Sequence, residues 1–176
     1  MVRATILAAT ALWAATEILK LRRPGQIEPA RQLWTFAIAL AIVHALAAFH
    51  GVYGWSHVAA VDATAKQTAA LTGLAWGGGL FVNYAFLAAW AADAIWWWIA
   101  PTSYRLRAAT VEHLRLAFFV FMFVNGAIVF AGGAARFVGI AAVGAVCSTW
   151  ALLLFDRRGA RGAGKRPRES STTIHV

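Results

Sequence analysis

Residues 41–93 read AIVHALAAFHGVYGWSHVAAVDATAKQTAALTGLAWGGGLFVNYAFLAAWAAD. In this stretch two apolar runs flank a polar interval that holds His57, Asp62 and Lys66. Both apolar runs continue beyond the quoted residues, and each reaches the ~20 mainly apolar residues that a membrane-spanning helix needs. The pattern predicts two spanning helices joined by a polar helix that lies at the membrane surface.

The composition of the whole chain extends this prediction. Of the 176 residues, 61% are hydrophobic and 13% are charged, and the charged share is about half that of an average soluble domain. We therefore predict an all-α integral membrane protein, a bundle of five transmembrane helices within residues 1–156. The spans are expected at about residues 4–20, 33–53, 71–99, 114–131 and 137–155, with an interfacial helix at about 55–70 between the second and third.

The basic residues indicate an orientation. Thirteen of the 16 Lys and Arg residues fall in segments 20–31, 105–115 and 157–168, which follow the first, third and fifth spans. Under the positive-inside rule this predicts a multi-pass protein of the inner (plasma) membrane with its N-terminus outside and its C-terminus cytoplasmic. Residues 157–176 are predicted to be a disordered basic tail. A cleaved signal peptide is the rival interpretation of the first segment, but the basic residues Lys20, Arg22 and Arg23 after it favour a retained span.

The formal net charge of +9 does not indicate a nucleic-acid partner. Its basic residues separate apolar runs and do not form a stripe with interleaved aromatic side chains. The expected partner is the lipid bilayer, with partner subunits or further copies of the chain left open.

Polar residues inside the spans can be placed by depth, because a helix rises ~1.5 Å per residue. Ionisable groups at membrane depth are candidates for function. The count predicts an outer group and a pair near the midplane. The outer group comprises His50, His57, Asp62, Asn83 and Tyr84, and the midplane pair is His44 and Asn125.

Three kinds of ligand are candidates for these polar groups. A bend at Gly51 or Gly54 would let His50, His57 and Asp62 converge on one transition metal, which imidazole and carboxylate ligands suit. A quinone or lipid needs only one or two polar groups with aromatic neighbours. A b-type haem needs two histidines at one depth, and the levels of His44 and His113 differ. The single cysteine, Cys147, excludes a Cys-rich metal site or a disulfide framework.

Other polar and small residues are given structural roles. Asp93 is expected to pair with Arg105 or Arg107 at the inner surface, and Glu112 and His113 are expected to be ordinary loop residues. Residues 77–79, three glycines, predict a break in the helix or a close approach of two backbones. Residues 96–98, three tryptophans, predict an aromatic belt at the headgroups.

Three functions remain open from the sequence. The first is a membrane module, associated with redox chemistry, that binds a metal or a quinone or lipid in the outer leaflet. The second is a non-catalytic accessory or assembly subunit of a larger membrane complex, whose histidines are structural. A transporter or channel ranks last, because the number of spans is odd and no internal repeat is visible. Whether the protein is an enzyme stays open, since no nucleophile elbow or phosphate-binding loop occurs.

Overall fold

The regular structure in the described part of the chain is entirely helical. A computed structural model describes residues 2–163, with side chains from residue 3 to residue 155. The elements are α1 (Val2–Arg22), α2 (Ile27–Gly51), α3 (His57–Thr72), α4 (Gly79–Ile99), α5 (Pro101–Arg105), α6 (Ala109–Val124), a π-helical turn (Asn125–Val129) and α7 (Ala134–Ala163). This confirms the all-α prediction for those residues.

Five of these helices are long and apolar enough to cross a membrane, as the sequence predicted. Their qualifying segments are Arg3–Arg22, Ile27–Gly51, Gly79–Ile99, Ala109–Val129 and Ala134–Phe155. The spans fall close to the predicted places, and the largest difference is in the third.

The third span is shorter than predicted, because the chain leaves the helical path before it. α3 begins after Ser56, whose hydroxyl accepts a hydrogen bond from the amide of Ala59 at 3.2 Å. It continues to Thr72 and ends at Gly73, which has φ +77° and caps the helix in the left-handed conformation. α4 then starts at Gly79, not near residue 71. The helix between the second and third spans is therefore present, and its position at the membrane surface stays a prediction.

The last helix is longer than predicted. α7 continues to Ala163, past the expected end of the fifth span near residue 155. The remainder of the tail predicted to be disordered, residues 164–176, lies outside the described residues.

The five long helices pack in a ring. α1 lies against α2 and α7, α2 against α4, α4 against α6, and α6 with its π-helical turn against α7. Aromatic side chains fill the centre. Trp34 of α2 has its ring centroid 5.2 Å from those of both Trp90 and Phe119, and Trp13 stacks on Phe123 at 4.1 Å. Apolar residues thus face both the outside and the core, as expected for a small helical membrane bundle.

Four tryptophans in this core have no conventional partner for the indole N–H among the described residues: Trp13, Trp34, Trp90 and Trp97. An unpaired buried donor costs ~1–3 kcal/mol. Neighbouring aromatic faces offer only a weak acceptor. These indoles therefore contribute through packing more than through hydrogen bonding.

At two positions the close approach of another backbone segment leaves room only for glycine. A Cβ on Gly77 would lie 2.8 Å from the carbonyl oxygen of Val61 in α3, which confirms the predicted close approach in the glycine run. A Cβ on Gly139 would clash with the carbonyl oxygen of Ala127 in the π-helical turn. That turn begins at Asn125, whose amide nitrogen donates to the carbonyl of Phe121 at 2.8 Å. Both contacts join segments that are close in sequence.

The contact at Gly139 gives a stability prediction. Gly139→Ala should lower the free energy of unfolding by ~1–3 kcal/mol, because the methyl group meets a backbone oxygen that cannot rotate away. Gly144→Ala is the matched control on the same helix, since a Cβ there meets no atom within 4 Å. Thermal unfolding of both variants in detergent measures the effect, and equal midpoints would contradict the proposed contact.

Candidate functional site

A buried ion pair joins α1 and α6, the first and fourth of the long apolar helices. Arg115 of α6 donates from both terminal nitrogens to the two carboxylate oxygens of Glu17 in α1, each at 2.8 Å. The side chains are 7% and 2% exposed, respectively. The two-pronged geometry is the strongest form of an Arg–carboxylate contact. It ties two helices together through residues that are 98 positions apart in the chain.

Glu112 connects this pair to two further cations. Its Oε1 accepts hydrogen bonds from Arg115 at 2.7 Å and from Lys20 at 3.0 Å. Its Oε2 accepts from Arg115 at 3.2 Å and also from Arg107. Glu112 therefore lies between three positive charges, and its own helix begins only three residues before it.

Arg107 also reaches α4, the third of the long apolar helices. Arg107 donates to Asp93 of α4 at 3.0 Å, which confirms one of the two partners predicted for Asp93. The hydroxyl of Tyr104 donates to the other oxygen of Asp93 at 2.9 Å. Burial, and after it the nearby Asp93 carboxylate, raise the pKa of Tyr104 above its usual range. Tyr104 therefore stays a neutral donor well above neutral pH.

We call this set the ion network: Glu17, Lys20, Asp93, Tyr104, Arg107, Glu112 and Arg115. It contains three cations and three carboxylates, so its formal charges cancel. Its end of the bundle, where α1, α4 and α7 end and α6 begins, is called the basic end below. Closed pairing of this kind is what makes charges tolerable at low dielectric.

Aromatic faces line the ion network toward the core. The ammonium of Lys20 lies 5.6 Å and 5.5 Å from the ring centroids of Trp34 and Trp97, and the guanidinium of Arg107 lies 3.7 Å from that of Tyr104. Such cation–π contacts attract the cation to the ring. Trp97 is buried and stacks on Tyr104 at 4.5 Å, so this residue of the predicted aromatic belt belongs to the core. Trp98 is exposed and lies 3.8 Å from the guanidinium of Arg31.

A cavity of about 270 Å³ opens beside the ion network between α1, α6 and α7. Glu17, Lys20 and Glu112 form its polar side. The remaining lining is mostly apolar and comprises Leu21, Ala109, His113, Leu116, Trp150, Leu153 and Leu154. His113 is exposed and meets the ring of Trp150 edge-on at 6.2 Å. The interpretation of Glu112 and His113 as ordinary loop residues is therefore wrong: both lie in α6 and both line this cavity.

At the other end of the bundle, called the α3 end, the predicted outer residues separate into pairs. Nδ1 of His57 lies 3.2 Å from the hydroxyl of Tyr84, with the two rings stacked at 5.8 Å. His50 instead accepts a hydrogen bond from the indole N–H of Trp55 at 3.2 Å. Trp55 has φ +61°, and this turn brings its side chain back toward α2. Of the predicted group, the structure brings His57 and Tyr84 together.

Asp62 does not join the histidines. It forms an exposed ion pair with Lys66, one helical turn later, at 2.6 Å. Among residues 3–155 no group of three His, Cys, Asp or Glu side chains is placed to hold a metal ion. The geometry thus gives no support to the metal set His50, His57 and Asp62.

The midplane residues have other neighbours. Nδ1 of His44 lies 3.5 Å from the hydroxyl of Thr5 in α1. Asn125 donates within its own helix, to Phe121. Asn83, the remaining residue of the predicted outer group, is exposed on α4 beside Tyr84. The residues that sequence reasoning missed are Glu17 and Arg115, for which the only signal was a carboxylate near the end of the first apolar segment.

The Tyr104–Asp93 hydrogen bond gives a pH-dependent prediction. At pH 8, Tyr104→Phe should lower the free energy of unfolding by ~1–2 kcal/mol, because a hydrogen bond to a charged acceptor is lost. The native protein holds the Tyr104 proton more tightly than the unfolded chain, whose tyrosines titrate near pH ~10. This stabilisation is therefore complete below pH ~10 and decreases as the pH rises above that value.

Unfolding midpoints of wild type and Tyr104→Phe between pH 7 and pH 11 test this prediction. The gap between them should narrow above pH ~10. Tyr53→Phe serves as a control for a tyrosine outside the ion network. A gap that widens with pH would show that Tyr104 does not act as a neutral donor.

A positive charge at position 115 should not be enough to maintain the stability that the Arg115 side chain provides. Arg115→Lys keeps the charge but cannot bind Glu17 and Glu112 with paired donors. We expect a loss of ~2–4 kcal/mol in unfolding free energy, as for damage to a buried pair. Lys66→Met removes one partner of the exposed pair with Asp62 and should cost less than ~1 kcal/mol. Similar losses in the two variants would contradict the structural importance of the ion network.

Comparisons of the chain with protein-family models, with curated proteins and with solved structures each gave no match, so the argument for its function rests on these contacts.

Proposed function

We propose that this chain is a membrane protein that binds an amphiphile with a quinone-like or lipid head at the α3 end. The observation that carries the proposal is the His57–Tyr84 pair, which joins α3 to α4 through a contact of 3.2 Å between polar atoms. It is the part of the predicted outer group that comes together. The positive-inside rule predicts that the N-terminus is outside and the C-terminus is cytoplasmic. In that orientation the α3 end faces the outer leaflet of the inner membrane, and α3 lies along the surface.

The pair leaves one polar atom of His57 for a ligand. If the phenol of Tyr84 donates to Nδ1, the imidazole carries its proton on Nε2. That N–H can donate to a carbonyl oxygen of a ligand head. The chemistry needed is hydrogen bonding without net charge, which a quinone carbonyl or a lipid ester offers.

Two further aromatic rings lie next to the pair. Phe81 is 57% exposed and meets His57 edge-on at 5.7 Å. Phe49 of α2 lies 6.2 Å from Tyr84. An apolar wall with a few placed polar groups is the usual composition of a small-molecule site. A redox role for the bound ligand would follow only if it is a quinone.

The metal and haem interpretations rank below this one. A transition metal at His50, His57 and Asp62 would require Asp62 to leave Lys66 and His50 to leave Trp55. A b-type haem would need a second histidine at the level of His57. Neither arrangement is supported by the contacts of the described residues.

An accessory or assembly subunit is the alternative function. The observation that favours it is the ion network, whose cations and carboxylates are paired with one another and hold three helices together. In that case the His57–Tyr84 pair fixes α3 on α4 and binds nothing. Partner subunits or further copies of the chain would cover the exposed apolar faces.

Ligand binding at the α3 end can be measured directly. A short-tailed benzoquinone and a phospholipid analogue should each be titrated against purified full-length protein in nanodiscs. For the ligand that binds, His57→Phe should weaken binding by about tenfold, which corresponds to ~1.4 kcal/mol and fits the loss of a buried hydrogen bond. Tyr84→Phe should weaken it less, because only the orientation of His57 is lost.

Tyr53→Phe is the matched control, since Tyr53 contacts Phe49 without belonging to the pair. Unchanged affinity in His57→Phe, with a folded protein, would favour the accessory function.

Metal analysis of the same preparation should find less than one metal per chain. Stoichiometric metal that disappears in His57→Ala would revive the metal site.

The orientation has its own test. A green fluorescent protein fused after Val176 should fluoresce, because the C-terminus is expected in the cytoplasm. A C-terminal alkaline phosphatase fusion should be inactive, since that enzyme works only after export. An active phosphatase and a dark fluorescent fusion would place the α3 end on the cytoplasmic side.

A further inference from the structure

We infer that the cavity at the basic end is a second binding site, for a neutral, ring-headed amphiphile of the quinone class. It is separate from the α3 end. Tyr84 and Asp93 both lie on α4, nine residues apart, and Asp93 already touches the ion network. At ~1.5 Å per residue, the two sites are therefore ~13 Å or more apart.

The charges of the cavity disfavour an ionic head. Glu17 and Glu112 would repel a phosphate that enters beside them, and Lys20 would repel an ammonium group. The three side chains already balance one another with Arg115. A neutral head avoids both penalties, because it leaves every ion pair of the network in place.

Every carboxylate oxygen that lines the cavity is already engaged by a cation, whereas some donors are unused. The Glu17 oxygens are both bound by Arg115, and each oxygen of Glu112 accepts from two cations. Lys20 has three N–H groups and uses one on Glu112 at 3.0 Å, with Glu17 at 3.8 Å. The ring nitrogens of His113 make no hydrogen bond within the described residues. The head that complements this site is one that accepts hydrogen bonds, as quinone carbonyls do.

The size and walls of the cavity suit a ring. About 270 Å³ corresponds to about nine water volumes, enough for a substituted six-membered ring but not for its tail. His113 and Trp150 are exposed aromatic residues at the mouth, where a flat ring can stack. Leu116 and Trp150 are the lining residues of α6 and α7 that lie nearest the middle of the apolar segments Ala109–Val129 and Ala134–Phe155, and an alkyl tail would leave the cavity past them.

Photo-crosslinking distinguishes this site from the one at the α3 end. The probe is a photoreactive benzoquinone with a decyl tail, added to the full-length protein in nanodiscs, with labelled peptides identified by mass spectrometry. We expect labels within residues 109–116 and 150–154 that excess unlabelled decyl benzoquinone removes. His57→Phe should leave these labels unchanged, so failure of the α3-end site and failure of this site are read separately.

Two substitutions on α7 provide a matched pair. Leu153→Trp fills the cavity and should reduce labelling at the basic end at least tenfold. Leu152→Trp adds the same side chain to an adjacent residue that is 59% exposed and does not line the cavity, and it should label like wild type. If Leu153→Trp does not fold, His113→Phe is the second variant. It keeps an aromatic ring but removes the ring nitrogens, and it should weaken binding about fivefold.

Three results would overturn the proposal. One is equal labelling of the Leu152→Trp and Leu153→Trp proteins. Another is labelling confined to residues 57–84. The third is loss of the label when anionic phosphatidylglycerol replaces zwitterionic phosphatidylcholine in the nanodisc, because this would identify an anionic lipid head as the occupant.

Discussion

The paired contact between Arg115 and Glu17 is the constraint on which the rest of the bundle depends. Each charge would be very unfavourable alone at this depth, since burying an unpaired ion costs several kcal/mol. The pair fixes the distance between α1 and α6 at the basic end. Because α1 also packs on α2 and α7, the position of α6 determines the closure of the ring.

The remaining polar groups follow from that pair. Glu112 lies one turn from Arg115 on the same face of α6, so it reaches Lys20 and Arg107 as well. Arg107 then draws Asp93 of α4 into the ion network. The carboxylate acceptors are all engaged by cations, while a donor of Lys20 remains available toward the cavity. The ligand chemistry proposed for the cavity is thus a consequence of how the charges are paired.

The long helices could be predicted from the sequence because hydropathy depends only on local composition. The start of α4 could not. Residues 71–76, LTGLAW, are apolar enough to continue a span, and only the left-handed conformation at Gly73 shows that the chain turns there. Asp62 and Lys66 have the four-residue spacing that places side chains together on a helix, but Asp62 was predicted to join His50 and His57 instead.

The candidate sites were harder to predict. The ion network joins residues up to 98 positions apart, and loop charges that fit the positive-inside rule gave no hint of burial. At the α3 end, depth counting placed His57 and Tyr84 in one outer group, and these two side chains meet. It could not predict that the turn at Trp55 would provide a closer partner for His50.

A double-mutant cycle on Glu17 and Arg115 tests the central claim most directly. The free energy of unfolding should be measured in mild detergent for Glu17→Leu, Arg115→Leu and the double variant. The claim predicts that each single variant loses ~3–5 kcal/mol, and that the double variant is at least ~2 kcal/mol more stable than the sum of the two losses implies. Additive losses in the double variant would contradict it, since they would mean that the two side chains stabilise the bundle independently.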